Sequence, residues 1–310
     1  MAKKFFISND KNPKNVQIKK DIINHFIANG NDTISELSKE LDLSVPTVTK
    51  FIGELIEQGL ICEYGKMQTS GGRYPNVYGL NPASVYFVGV DMTRHHMNIA
   101  LMDFKGDTVQ SQMGIPFIYE NTSEAFDTLC NHIQNFLDQT GELKEKIYSI
   151  NLNISGRVNP ESGYSYSSFY FSEQPVTEIL SKKLNFKVGI DNDTRAMAYG
   201  EYMKGVVEGE KQVIFVNISW GLGIGIIIDG KLYYGKSGFS GEFGHFPAFD
   251  NEILCHCGKK GCLETETSGI AIHRMVLERI KNGESSILTE KVKDLNDLTL
   301  TDIIDATNME

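Results

Sequence analysis

Between residues 245 and 262 the chain spaces His245, Cys255, Cys257 and Cys262 as His-x9-Cys-x-Cys-x4-Cys. Three thiols and an imidazole are the soft, tetrahedral donor set that zinc takes in structural sites. A fold that keeps this set must bring the ends of a short loop to one point. Gly258 and Gly261 stand inside that loop, where the backbone has to turn tightly for three sulfurs to face one ion. His256 competes as a ligand by proximity and ranks below His245. The alternative is three buried thiols without a metal. Five cysteines in all, an odd number with three in this cluster, fit metal ligation in a reducing compartment better than a disulfide framework.

Ahead of the motif, apolar positions recur at helical spacing in three blocks, Val16 to Ala28, Ile34 to Leu41 and Val45 to Ile56. Thr33 and Ser44 stand where N-caps belong, and Pro46 falls in a first turn. Leu60 to Gly65 and Asn76 to Leu80 then read as short strands around a polar, glycine-rich loop. Three helices and a hairpin predict a winged helix-turn-helix over residues 1–80. In such heads the third helix enters the major groove, which makes Ser44, Thr47, Thr49 and Lys50 the expected DNA contacts and turns Val45, Val48, Ile52 and Leu55 inward. Charge agrees: residues 1–80 carry 10 Lys+Arg against 9 Asp+Glu, whereas the whole chain has a net charge of −10. A solvated basic tail explains the N-terminal lysines equally well, and winged heads sometimes serve only protein contacts.

After Asn81-Pro82 a β-β-β-α-β-α-β-α order runs to about residue 205 and begins again at Gln212, which predicts two similar α/β lobes, 84–205 and 206–310, with a cleft between them. The second repeat reads as incomplete: after Cys262 only a helix, Gly269 to Lys281, and a polar, acidic tail are expected. No apolar run approaches the roughly 18 to 20 residues that cross a bilayer, and the start of the chain lacks a secretory signal. A cytoplasmic, soluble protein without a membrane partner is expected.

Gly241-Glu242-Phe243-Gly244-His245 followed by Cys-x-Cys-Gly-x-x-Gly-Cys-Leu-Glu at 255–264 resembles the signature of the ROK family (repressors, open reading frames and kinases), over about residues 14 to 290. The resemblance implies an actin-like, ribonuclease H-type two-lobed sugar-kinase-like domain with a structural Zn²⁺. It also implies a sugar at the interlobe cleft, held by Asn192, Asp193, Glu242, His245 and Glu264. His245 would then ligate zinc through one ring nitrogen and offer the other to a hydroxyl. Taken alone, Asp193 reads equally as a carboxylate stabilised at a helix N-terminus. Ser70-Gly71-Gly72-Arg73-Tyr74-Pro75 resembles the repressors' wing, with Arg73 for the minor groove and an interrupting Tyr74.

The kinase motifs depart from the family. Asp91-Met92-Thr93-Arg94-His95-His96 stands where family kinases have Asp-x-Gly-Gly-Thr-Lys, and Ser219-Trp220-Gly221-Leu222-Gly223-Ile224-Gly225 where they have a second phosphate loop. Bulky side chains replace the glycines that admit phosphate, and the surviving glycines also suit close strand packing. Thr194-Arg195 likewise replaces the kinases' Ala-Asn after Asn-Asp. The expectation is a sugar-responsive transcriptional regulator, most simply a repressor. It would bind double-stranded operator DNA as a homodimer or higher oligomer, sense a sugar or sugar phosphate, and not be an enzyme. The competing reading is an ATP-dependent ROK sugar kinase with a fused head.

Overall fold

The computed structural model describes residues 12–67, 74–93, 95–292, 294–295 and 298–308. Compactness divides the chain into two units, Met1–Asp193 and Thr194–Glu310.

The first unit opens with helix α1 (Pro13–Asn29), a two-residue strand β1 (Asp32–Thr33), α2 (Ile34–Glu40) and α3 (Val45–Glu57), then strands β2 (Ile61–Lys66) and β3 (Asn76–Leu80). The caps form where the sequence puts them: Thr33 accepts from the Glu36 amide and Ser44 from the Thr47 amide. Ile22, Phe26, Leu37, Val48, Ile52, Leu55 and Leu60 close the core of this head. Val45 departs from expectation. As the first residue of α3 it has no preceding turn to cover it, and it is 50% exposed. The two-residue β1 pairs with β3 in the order β1-β3-β2, a strand too short to carry a period in sequence. Residues 68–73, and with them Arg73, lie outside the described residues, as does Arg94.

A five-stranded sheet follows, ordered β10-β7-β4-β5-β6, from β4 (Tyr86–Met92), β5 (His96–Met102), β6 (Thr108–Pro116), β7 (Ile147–Ile154) and β10 (Lys187–Asn192). Between β7 and β10 stand a small hairpin, β8 (Val158–Asn159) and β9 (Tyr164–Ser165), and helix α5 (Val176–Leu184). β4 is antiparallel to β5 and parallel to β7, which is parallel to β10. Helix α4 (Ser123–Gln139) buries Phe126, Leu129, Ile133, Phe136 and Leu137, one helical stripe, in a core with Val88, Val90, Ile99, Ile150 and Leu152. Each such side chain contributes roughly 1.5–3 kcal/mol.

Head and lobe are not merely tethered. Val85 and Phe104 belong to the same apolar cluster as Leu55 and Leu60, with Phe87 and Tyr148 packed against it. Asn81 reaches back to the head, its side-chain amide to the Gly59 carbonyl at 2.8 Å and its backbone amide to the Leu60 carbonyl at 2.9 Å. The Lys105 ammonium lies 4.2 Å from the centre of the Tyr64 ring of β2.

The second unit begins within α6 (Asp193–Lys204), then β11 (Val213–Ile218), β12 (Leu222–Ile228) and β13 (Lys231–Leu232) form an antiparallel sheet. α6 lies close against β12: a Cβ on Gly225 would collide with Ala198, and one on Gly223 would meet Thr194 Oγ1 at 2.8 Å. These glycines therefore serve strand packing. Whereas β4 has strands on both sides, β11 pairs with β12 alone among the described residues, and its Ile214, Val216 and Ile218 are exposed. Short α7 (Glu264–Thr267) and α8 (Gly269–Lys281) follow the cysteine loop. The stretch expected as a polar tail folds into α9 (Leu288–Lys291) and α10 (Leu300–Thr307), and Leu288 of α9, Leu298 ahead of α10 and Ile303 of α10 pack on Val276, Leu277 and Ile280 of α8.

Candidate functional site

The second unit gathers the cysteine motif at one point. His245, Cys255, Cys257 and Cys262 present ligand atoms all within 4.8 Å of one another. Cys255 Sγ is 3.5 Å from His245 Nδ1, and Cys257 Sγ is 3.6 Å from Cys262 Sγ. Zinc–sulfur bonds of about 2.3 Å and a zinc–nitrogen bond of about 2.0 Å at tetrahedral angles require about 3.8 Å between sulfurs and about 3.5 Å between sulfur and nitrogen. The donor set therefore fits a tetrahedral thiophilic ion. Gly258 and Gly261 carry positive φ, 87° and 69°, in the turn that brings the sulfurs together. The loop is closed by the Cys255 amide on the Lys259 carbonyl and the Gly258 amide on the Cys255 carbonyl.

A second layer of polar groups surrounds this cluster. His245 turns Nδ1 toward Cys255 and Nε2 toward the Glu242 carboxylate, 3.7 Å away. Burial pushes the His245 imidazole below its ordinary range, so the neutral, ligating form prevails at pH 7. His256 Nδ1, at 3.9 Å from Cys255 Sγ, lies only 3.1 Å from Glu264 Oε1. It pairs with that carboxylate, and the set His245, His256 and Glu264 also converges. Glu264 is 5% exposed, and its Oε2 accepts from the Leu222 amide at 2.9 Å. Burial raises its carboxyl, but the bonds from His256 and Leu222 outweigh burial and hold it below the usual carboxylate range. Glu242, His245 and Glu264 thus come together as one polar patch beside the cysteines.

Asn192 and Asp193 stand at the far end of β10 in the first unit. The Asn192 side chain donates to the Gly156 carbonyl at 3.1 Å, and Ser155 Oγ donates to Asp193 Oδ2 at 2.6 Å. Ser155 follows β7, so the parallel pairing of β7 with β10 delivers both residues to one place. Asp91, on the adjacent β4, accepts from Asn98, and burial raises its carboxyl.

Three residues that shape these sites escaped the sequence reading. Arg195, 2% exposed, donates from Nη1 to the Gly238 carbonyl at 2.9 Å and lies 5.3 Å from the centre of the Tyr234 ring, fixing the loop that leads to Glu242. Asn217 of β11 donates to Thr194 Oγ1. Ser155 holds Asp193. Thr194-Arg195, a departure from the kinase pattern, is therefore used in packing.

Amides of the β4–β5 turn and of the start of α8 donate to acceptors within the protein. Thr93 N donates to the His96 carbonyl at 2.9 Å and His96 N to Thr93 Oγ1 at 3.2 Å, closing the β4–β5 turn on itself. At the start of α8 the Gly269 and Ile270 amides donate to the Ser219 and Trp220 carbonyls, and the Trp220 ring lies 5.5 Å from His273.

In the head, Ser44 Oγ and Thr47 Oγ1 share a hydrogen bond of 2.8 Å, Thr49 Oγ1 donates to the Val45 carbonyl, and Lys50 Nζ lies 3.8 Å from Glu54. Ser44, Thr49 and Lys50 are exposed and Thr47 is half-buried.

Residues 87–309 match the ROK family, and residues 17–61 match the winged helix-turn-helix DNA-binding family. A xylose repressor of Caldicellulosiruptor bescii is 30% identical over 251 residues, covering 80% of this chain. The chain spans 63% of that repressor's length. A crystal structure of a ROK family transcriptional regulator, homologous to the Escherichia coli MLC protein, superposes with a TM-score of 0.74 at 28% identity, covering 94% of this chain and 73% of that one. A ROK glucokinase from Streptomyces griseus, in complex with glucose and AMPPNP, shares the fold with a TM-score of 0.63 at 24% identity, over 72% of this chain and 71% of its own. No helix among the described residues is long and apolar enough to cross a membrane.

Proposed function

Since the chain belongs to the ROK family, we propose that it is a sugar-responsive transcriptional regulator, a cytoplasmic repressor that binds double-stranded operator DNA as a homodimer or higher oligomer. The observation that carries this reading is the winged head, whose apolar core continues into the first lobe through Val85 and Phe104. Ser44, Thr47, Thr49 and Lys50 meet the major groove, and Arg73 enters the minor groove. Glu242, His245 and Glu264 bind hydroxyls of a sugar or sugar phosphate, with Asn192 and Asp193 as further ligands by family resemblance. Carboxylates and an amide select among epimers because a misplaced hydroxyl leaves a buried partner unpaired. His245, Cys255, Cys257 and Cys262 would hold Zn²⁺, which would supply a fixed corner that orients His245.

No phosphoryl transfer accompanies binding. The amides of Thr93, His96, Gly269 and Ile270 have protein acceptors, which leaves a nucleotide's phosphates fewer donors than a glycine-rich loop would supply. The kinase reading retains Gly221, Gly223 and Gly225, but two of them are accounted for by the approach of α6 to β12. Calorimetry separates the two readings: a sugar should bind with the same affinity with or without a nonhydrolysable ATP analogue. Tight nucleotide binding that strengthens sugar binding would favour the kinase.

Within the first unit a mechanical route joins ligand to head. β4 and β7 run from Phe87 and Tyr148, at the seam with the head, to Asp91 and Ser155 beside Asp193. At about 3.3 Å per residue that is roughly 13 Å along β4 and roughly 23 Å along β7 and the residue after it. A change at Asp193 is thus delivered to the head through rigid strands. Phe104→Ala, which removes a 7%-exposed ring packed 6.4 Å from Phe87, is expected to keep DNA binding within about threefold and to blunt sugar-induced release at least tenfold. It should cost about 3–5 kcal/mol of stability. Anisotropy titrations and urea melts read both; full induction in a folded variant would remove the seam from the mechanism.

A further inference from the structure

We infer that Val45 reads a base, packing its methyl groups against the 5-methyl of a thymine in the major groove. This rests on the DNA-binding reading above and adds to it a residue and a base.

The start of a recognition helix is the part that reaches base edges, and here that part is unusual in what it leaves exposed. α3 turns Val48, Phe51, Ile52 and Leu55 into the head's core, so the residues facing away from it at its first turns are Ser44, Val45, Pro46, Thr49 and Lys50. The hydroxyl groups among them, with Thr47 beside them, already serve the helix. Ser44 Oγ accepts from the Thr47 amide and shares its other bond with Thr47 Oγ1, and Thr49 donates its proton to the Val45 carbonyl. Lys50 is drawn along the helix toward Glu54 and over the Phe51 ring, 5.1 Å from its centre. Those bonds engage hydroxyl protons and leave acceptor capacity on the oxygens, so this end of the helix presents hydroxyl oxygens and an aliphatic surface side by side. The aliphatic surface is Val45, which is 50% exposed and is not a member of the head's apolar cluster.

An aliphatic side chain has one specific partner in the major groove, the thymine methyl, which no other base presents there. Valine suits the task because its branched Cβ leaves χ1 little freedom in a helix, so little entropy is lost when the contact forms. Covering both methyl surfaces removes them from water, worth about a fourfold change in affinity for one methyl group.

The test starts from duplexes selected from a random-sequence pool by the full chain. Each thymine of the selected site is then replaced singly by deoxyuridine, which deletes only the 5-methyl, and affinities are read by anisotropy at fixed salt for the wild type and Val45→Ala. The expected result is one thymine per half-site where deoxyuridine weakens wild-type binding about fourfold but leaves Val45→Ala unchanged. Additive losses at every thymine would overturn the proposal while leaving the regulator reading intact. Failure to select any duplex with a folded head would sink the regulator reading itself, and this inference with it. Because Val45 is exposed, its melting curve should match the wild type, which keeps either outcome interpretable. If Val45→Ala instead binds every duplex as well as the wild type, the side chain makes no contact with DNA and the inference fails.

Discussion

Cys262→Ser should reduce zinc from about one ion per chain to less than a tenth, and should weaken sugar binding about 100-fold or more while leaving DNA affinity within threefold. Cys262 is fully buried, and its sulfur stands 3.6 Å from Cys257, so serine there puts a hard, short oxygen where a zinc site takes a sulfur. A metal held by this set would tie the loop's end to His245 through Nδ1, and the other ring nitrogen faces Glu242 at 3.7 Å. Removing a group that merely orients a zinc ligand costs 10- to 100-fold in comparable sites; removing a ligand should cost at least that. The head lies in the other compact unit, which is why operator binding should survive as repression without induction. The pH dependence follows in sign. Burial pushes the metal-free Cys255 thiol up to about 12, so zinc must displace its proton, and apparent zinc affinity should rise with pH and fall in acid. Metal content by mass spectrometry after dialysis, with sugar calorimetry on the same samples, checks the whole chain of effects. Sugar binding unchanged in zinc-free protein would uncouple the metal from the pocket.

Arg195→Ala should destabilise the second unit by about 2–4 kcal/mol and weaken sugar binding roughly tenfold. The guanidinium is 2% exposed, donates to the Gly238 carbonyl and covers the Tyr234 ring. Its loss removes a charge-assisted hydrogen bond and the packing of a long stem together. The slack appears in the loop just before Glu242. Arg195→Lys should not rescue the effect, because an ammonium cannot reproduce the flat, multiply donating group. The single tryptophan, Trp220, lies in this unit, so its fluorescence during urea unfolding reports the second unit alone. A wild-type midpoint for Arg195→Ala would refute the clamp.

What the sequence made legible was local. Helix spacing, the caps at Thr33 and Ser44 and the zinc-ligand spacing are all written within a few turns of chain, and each of these helices and caps forms where expected. Val45 was misjudged because it shares the helical period of Val48, Ile52 and Leu55 but sits before the turn that would bury it. The helices after residue 287 are short, four residues in α9 and eight in α10, so neither repeats its apolar stripe over more than about two turns. In α10 the i, i+3, i+4 spacing of Leu300, Ile303 and Ile304 and the Thr299-x-x-Asp302 capping box, which forms in the structure, are the marks the sequence carries. Of the candidate site, the residues that act across long separations were invisible: Arg195 meets Gly238 43 positions away, Ser155 meets Asp193 38 away, and Asn217 meets Thr194 23 away. No period or motif links such pairs; the sheet order and the approach of α6 to β12 do.

The most direct measurement is the anisotropy of a selected, labelled duplex bound by the full chain at fixed salt, followed while free sugars and sugar phosphates are titrated in and ATP is monitored in the same cuvette. The account predicts that one sugar releases the DNA and that no ATP is consumed. A folded protein that ignores every duplex while a sugar drives ATP consumption would contradict it.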